Sequence, residues 1–293
     1  MSGRIGFIGL GVMGEPMCRN LARKSGMAVA AYDISPAPLR RLRAEGVEAA
    51  ANVAEIAAGC DVIFLSLPSG EQVAAVCAGA EGLIARARPD QTIVDLGTSP
   101  PRLARELEAA FAEKGARFAD APVARTRQAA EQGTLSIMAG GEAATFERIH
   151  PLLACCATDI AHCGGAGAGQ VVKILNNMVL FETVAALSKA RALALAAGVD
   201  VGVLFGALSN GSADSFALRN HGLKAVLPQV FPAQAFSTRY ALKDLRYALE
   251  MGAESGVALS GAAVVEAAFV RAIEAGFGEA YWPVISQLEP SDG

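Results

Sequence analysis

Residues 4–24, RIGFIGLGVMGEPMCRNLARK, limit what this chain can become more than any other stretch. A short apolar run, RIGFI, leads into Gly9, Gly11 and Gly14 and then into a segment with helical periodicity. A strand that passes through a G-x-G-x-x-G turn into a helix is the first half of a dinucleotide-binding unit. Gly9 permits the tight turn, Gly11 lets a pyrophosphate approach the backbone, and Gly14 lets the helix press against the strand. The start of that helix offers N–H groups and partial positive charge to phosphates, and Pro16 fits its first turn, where a missing N–H costs nothing. Leu10, Val12 and Met13 complete the cofactor-binding loop. MAVAAYD, residues 27–33, reads as the next strand and ends in Asp33, 33 − 14 = 19 positions after Gly14. That is close to the spacing of the acid that binds the adenosine ribose hydroxyls. A carboxylate there repels a 2′-phosphate, so NAD is expected over NADP, with Arg40 and Arg41 close by in sequence.

The pattern then repeats. Apolar runs at 61–68, 91–100, 116–123 and 135–141 read as strands, and 36–46, 70–87, 101–115 and 143–154 read as helices. Alternating strands and helices imply an α/β domain with a doubly wound, mostly parallel sheet of the Rossmann type. Ligands of such sheets sit beyond the carboxyl ends of the strands. Leu67, Pro68, Thr98 and the stretch from Asp120 to Thr126 are therefore placed at the ligand edge. After HCGGAGAG, residues 162–169, no strand pattern remains. QVVKILNNMVLFETVAALSKARALALAAG reads as one long joining helix, followed by helices near 200–209, 213–226, 238–255 and 261–275. The expected division is a dinucleotide-binding domain over 1–164 and an all-helical substrate and oligomerisation domain over 165–293.

Composition removes several function classes. Of the 293 residues, 53% are hydrophobic and 18% charged, and the net charge is −4. The chain can bury a large core, and nothing in its charge favours nucleic acid or an anionic membrane. No run of 18 uncharged apolar residues occurs, so no membrane-spanning segment is expected. The six cysteines form no CxxC pair and the three histidines no motif, so no metal is expected, and the cysteines suit a reducing cytoplasm.

Lys173 is the only charged residue between Gly167 and Phe181, with Gln170 one turn before it and Asn177 one turn after it on the same helix face. An ammonium on an otherwise uncharged face must reach water, a carboxylate or a ligand. Lys243, in FSTRYALKDLRYALEM, is a second candidate, with Asp244 beside it.

FIGLGVMGEPM, DAPV…GTL, GAGQVVKILNN and FSTRYALKDL occur here in one order, and in that order the chain resembles the β-hydroxyacid dehydrogenases. This group includes 3-hydroxyisobutyrate dehydrogenase and tartronate semialdehyde reductase. The resemblance spans nearly the whole chain. It implies that Lys173 is the catalytic lysine and Asn177 its substrate-positioning partner. It implies that Lys243 lies close to the nicotinamide end, that Thr98 and Leu67–Pro68 touch the cofactor, and that the chain forms dimers or tetramers through its helical domain. Hydride transfer to or from NAD would then convert a small anionic 3-hydroxy acid and its semialdehyde, with Lys173 taking and returning the hydroxyl proton.

One stretch departs from the family. Where Ser-Gly-Gly is usual after DxPV, this chain has Ala124, Arg125 and Thr126. A guanidinium is a planar fork for an oxyanion, so Arg125 is expected to bind the substrate's anionic head group. The variant is similar to the loop of sulfolactaldehyde reductases, whose anion is a sulfonate, but the serine one turn beyond their lysine–asparagine pair is Leu180 here. A non-catalytic NAD-binding sensor is the reading from a different class.

Overall fold

The computed structural model describes residues 3–233 and 235–288. In chain order, the first half forms β1 (Arg4–Ile8), α1 (Gly14–Lys24), β2 (Ala28–Tyr32), α2 (Pro36–Leu42), β3 (Glu48–Ala49), α3 (Val53–Gly59), β4 (Val62–Leu65) and α4 (Gly70–Ala78). It continues with β5 (Thr92–Asp95), α5 (Pro101–Ala112), β6 (Arg117–Asp120), β7 (Val123–Ala124), α6 (Arg127–Gln132), β8 (Leu135–Gly140), α7 (Ala143–Leu153) and β9 (Ala157–Gly164). The sheet order is β3-β2-β1-β4-β5-β6-β8-β7, with β9 on β8. The six strands from β3 to β6 run parallel, β8 is antiparallel to β6 and β7, and β9 is parallel to β8.

Alternation along the central strands builds two cores. Phe7, Phe64 and Val94 face Met17, Leu21, Ile149 and Leu153 on one side. Ile8, Ile63, Leu65 and Ile93 face Ile56, Val73, Leu107 and Phe111 on the other. A sheet buried on both faces needs near-continuous apolar strands, which is why VIFL and TIVD are so legible in the sequence.

Several boundaries differ from the sequence reading. β9 shows no strand signal because it lies at the margin of the sheet and only Ala157 along it is buried. The helix expected over 70–87 stops at Ala78; a Cβ at Gly82 would lie 2.6 Å from Cys77 O, so the chain turns tightly there. The run at 116–123 is split, since Pro122 has no N–H to donate and pairing resumes at Val123 against Ile137. The helix expected over 213–226 is widened to π-type hydrogen bonding over Leu218–Val226, as in the 2.8 Å bond from Leu227 N to Gly222 O.

By packing, the chain divides between Lys173 and Ile174, inside α8 (Ala168–Ala196), nine residues beyond the 164/165 division read from the sequence. The first turns of α8 hydrogen-bond to Asp120 and the 97–99 loop and so belong with the sheet. The second unit adds α9 (Val201–Ser209), α10 (Thr238–Ser255) and α11 (Ser260–Ala272). Its core is aromatic: Phe181 meets Trp282 at 4.8 Å and Phe269 at 5.4 Å, both edge-on. α8 is long and apolar enough to cross a bilayer by length and mean hydropathy, 1.4 over 18 residues. Phe181, Val184, Ala185 and Leu187 along it are buried in the helical core. All six cysteines are thiols, and burial pushes Cys60 up to about 11 and Cys156 up to about 12.

Candidate active site

The chain leaves β1 toward β2 and β3 on one side, then returns to β4 on the other. That reversal makes a crevice beyond the carboxyl ends of β1 and β4, the usual place for a dinucleotide. Gly9 follows β1 with φ 94°. A Cβ there would lie 2.3 Å from Ser66 O, and one at Gly14 would lie 2.1 Å from Gly9 O. Both glycines are thus dictated by the chain's own contacts. Gly11 is not: a Cβ built there meets nothing within 4 Å. Its bareness suits a partner outside the chain that must approach the backbone. Next to it, the N-terminus of α1 has no side-chain cap among the described residues, so its amides suit a pyrophosphate. These residues fit a dinucleotide.

Asp33 stands just past β2. Its Oδ2 accepts a 2.6 Å hydrogen bond from Leu10 N and its Oδ1 a 2.7 Å bond from Ser35 N. The carboxylate thereby ties the end of β2 to the glycine turn. Val12 is exposed, Leu10 buried and Met13 half-buried. Leu67 is half-buried after β4, Pro68 is exposed, and Thr98 is buried after β5.

The 97–99 loop is held from two sides. Asp95 accepts from Gly97 N and from Ser99 Oγ, both at 2.8 Å. Gln170, fully buried on α8, accepts from Ser99 N at 3.0 Å through Oε1 and donates to Gly97 O at 2.9 Å through Nε2. Asp120, buried at the end of β6, accepts from Gly167 N and Gln170 N, both at 2.7 Å, and so anchors the start of α8. Burial pushes its carboxyl above the usual range, and the amides of Gly167, Gln170 and Gly169 pull it back. Lys173 follows Gln170 by three residues and is only 8% exposed. Asp120 and Gln170 therefore fix the helix turn that carries Lys173 relative to the loop after β5.

In the helical unit, Asn177 is buried and donates through Nδ2 to Asp244 Oδ2 at 2.8 Å. Lys243 Nζ lies 2.9 Å from Asp244 Oδ1 and over the ring of Tyr240 at 4.3 Å. One buried carboxylate thus joins both polar residues read from the sequence. Asp244 had a usable signal, since it shares a face of α10 with Ala241, Leu245 and Ala248, all buried. Asp95, Asp120 and Gln170 gave none as anchors; their roles depend on strand ends meeting α8.

Arg125 has partners that the sequence did not reveal. The residue has φ 84°, a left-handed conformation that glycine adopts at no cost. Its guanidinium, with 37% of the side chain exposed, is engaged by partners within the chain. It donates to Thr134 O at 2.7 Å and Thr158 Oγ1 at 3.0 Å through Nη1, and to Asp159 Oδ2 at 2.6 Å through Nη2. The strand β9 that supplies Thr158 and Asp159 was not revealed by the sequence pattern. Ala124 pairs with Ser136 in the sheet, and the Thr126 side chain caps α6 by accepting from Ala129 N.

Comparison with known proteins agrees with this layout. Residues 4–165 match the NAD binding domain of 6-phosphogluconate dehydrogenase, and residues 167–281 match the NAD-binding domain of NADP-dependent 3-hydroxyisobutyrate dehydrogenase. The chain is 38% identical to 2-(hydroxymethyl)glutarate dehydrogenase of Eubacterium barkeri over 87% of its own length and 84% of that protein's. It is 37% identical to 3-hydroxyisobutyrate dehydrogenase of Pseudomonas aeruginosa over 84% of each chain. Among solved structures, 3-hydroxyisobutyrate dehydrogenase of Mycobacterium tuberculosis with L-serine superposes with a TM-score of 0.89 at 30% identity, covering 98% of this chain and 99% of that one.

Proposed function

The chain belongs to the β-hydroxyacid dehydrogenase family, and from that premise we propose that it moves a hydride between NAD and a small anionic 3-hydroxy acid or its semialdehyde, with Lys173 as general acid and base. The observation that carries this reading is the buried Lys173 on a helix turn bolted to the 97–99 loop by Gln170 and to β6 by Asp120. When bound, the nicotinamide supplies or accepts the hydride. Lys173 Nζ takes the hydroxyl proton as the alcohol is oxidised and returns it to the forming alkoxide in the reverse direction. Asn177, one turn further along α8, orients the substrate hydroxyl. Its amide face is set by Asp244, which accepts from Nδ2. Lys243 meets an anionic part of cofactor or substrate.

Backbone amides of Ala124, Arg125 and Thr126 receive the substrate's head group in this reading. The Arg125 guanidinium keeps that turn in its left-handed shape. The sulfonate alternative rested on a guanidinium aimed at the anion, and the bonds to Thr158 and Asp159 do not favour it. NAD rather than NADP follows from the Asp33 carboxylate beside the glycine turn. A homo-oligomer through the helical domain is supported by exposed apolar side chains along α8, Val179 at 59% and Leu193 at 72%. We place the enzyme in the cytoplasm, with no nucleic-acid or membrane partner.

The test is Lys173→Ala. Turnover on a panel of 3-hydroxy acids and semialdehydes, read by NADH absorbance, should fall roughly 10²–10⁴-fold, the range for a general acid–base. Affinity for the dinucleotide should stay within a few-fold. Unchanged turnover removes the proposed role, and cofactor binding without any turnover in the native chain favours the sensor instead.

A further inference from the structure

Arg41 does not stand alone on the element that follows Asp33. It lies near the end of α2, the helix that follows Asp33, and reaches back 26 residues to Glu15 in the first turn of α1. Arg41 Nε donates to Glu15 Oε1 at 2.9 Å and Nη2 donates to Oε2 at 2.6 Å, a two-pronged pairing that uses both carboxylate oxygens. Glu15 also accepts from Arg19 at 2.9 Å, and Arg19 and Arg23 share Glu45. Only 15% of the Glu15 side chain is exposed, against 57% for Arg41. The hydrogen bond from Arg41 leads the causes that hold the Glu15 carboxyl below its usual range, so Glu15 is an anion at neutral pH.

Glu15 directly follows Gly14, and Asp33 is bonded to Leu10 N inside the same turn. The strap from Arg41 to Glu15 therefore joins the two helices that flank the Asp33 carboxylate. NADP differs from NAD by a phosphate on the adenosine ribose, and dinucleotide folds accommodate it with an arginine near the end of the second strand. A guanidinium holds a phosphate best through two parallel N–H bonds. Arg41 offers such a fork from the last turn of α2, and its donors are turned onto Glu15.

We propose that the Glu15–Arg41 pair is a second determinant of cofactor choice beside Asp33: Glu15 sequesters the guanidinium that would otherwise receive the 2′-phosphate of NADP. Loss of the Glu15 charge releases Arg41 at the adenosine end while the glycine turn keeps its shape. This rests on the dinucleotide site proposed above, and the experiment separates the two.

Binding of NAD⁺ and NADP⁺ is measured by calorimetry, without substrate, on the native chain, Glu15→Gln, Arg41→Ala and the double variant. Glu15→Gln should tighten NADP⁺ about tenfold, the size of one charge-assisted hydrogen bond gained. NAD⁺ should change less than about twofold on the same scale. In the double variant the gain for NADP⁺ should vanish. A gain that persists without Arg41, or one shared equally by NAD⁺, would come from removing a negative charge near the pyrophosphate and overturns the proposal. No change for NADP⁺ in Glu15→Gln overturns it as well. Absence of NAD⁺ binding to the native chain sinks the underlying site, and the inference with it.

Discussion

His221 gives the fold an acid limit whose size follows from its surroundings. It lies in the Leu218–Val226 segment, 8% exposed, against Trp282 at 5.3 Å and hydrogen-bonded through Nδ1 to the Tyr281 hydroxyl. Burial, with the charge of Lys224 added, lowers its pKa from 6.5 to about 4. The same burial raises the Tyr281 phenol, so both partners are neutral near pH 7. Above 6.5 the imidazole is neutral folded or unfolded and contributes no pH dependence. As pH falls from 6.5 to about 4 the unfolded chain takes up a proton that the folded chain refuses, and stability drains away; below about 4 the loss levels off. At roughly 1.36 kcal/mol per pH unit, the full loss is about 3 kcal/mol, a sizeable share of a typical stability. The chain's one tryptophan, Trp282, reports on this unit. Urea unfolding followed by its fluorescence at several pH values between 7.5 and 4 should show native protein losing about 3 kcal/mol more than His221→Gln. Titrating carboxylates are common to both proteins and cancel in the difference. Parallel curves for the two proteins would refute the reasoning.

Three further outcomes test the site. Gly11→Ala should leave the melting temperature nearly unchanged and weaken dinucleotide binding, because its Cβ meets no protein atom, whereas Gly14→Ala should lower both, because its Cβ would lie 2.1 Å from Gly9 O; thermal melts and calorimetry separate them. Arg125→Gly should raise the KM for substrate several-fold more than that for NAD by releasing the turn at φ 84°, and Asp159→Asn should move KM the same way from the other end of the ion pair. A KM effect in Arg125→Gly with none in Asp159→Asn would mean the guanidinium itself binds the substrate. Asp244→Ala should lower the melting temperature and cut turnover at least tenfold, since it removes the carboxylate that Lys243 and Asn177 share; turnover like that of the native chain would show that Asn177 needs no orienting carboxylate.

The glycine turn and the parallel strands were legible because their causes are local. Gly9 and Gly14 are demanded by atoms within one βα unit, and VIFL and TIVD are apolar because both faces of the sheet are covered. Lys173 was legible for a related reason: an isolated charge on an apolar helix stands out whatever it touches. Asp244 could have been found by the same rule, since it shares a face of α10 with Ala241, Leu245 and Ala248. In the structure the pair divides, with 2% exposure for the Asp244 side chain and 21% for that of Lys243.

Arg125 is the opposite case. Its sequence context is a loop that follows a strand, and a guanidinium in such a place suggests an anion. What decides its direction is Asp159 and Thr158, 34 and 33 residues away on a strand with almost no apolar signature. A left-handed non-glycine residue costs of order 1–2 kcal/mol, so its persistence at φ 84° requires an anchor, and the three bonds to Thr134, Thr158 and Asp159 are that anchor. The side chain thus holds a backbone shape that glycine adopts at no cost. What this chain gains is a turn held from outside it, by Thr134 and by the Thr158–Asp159 stretch of β9.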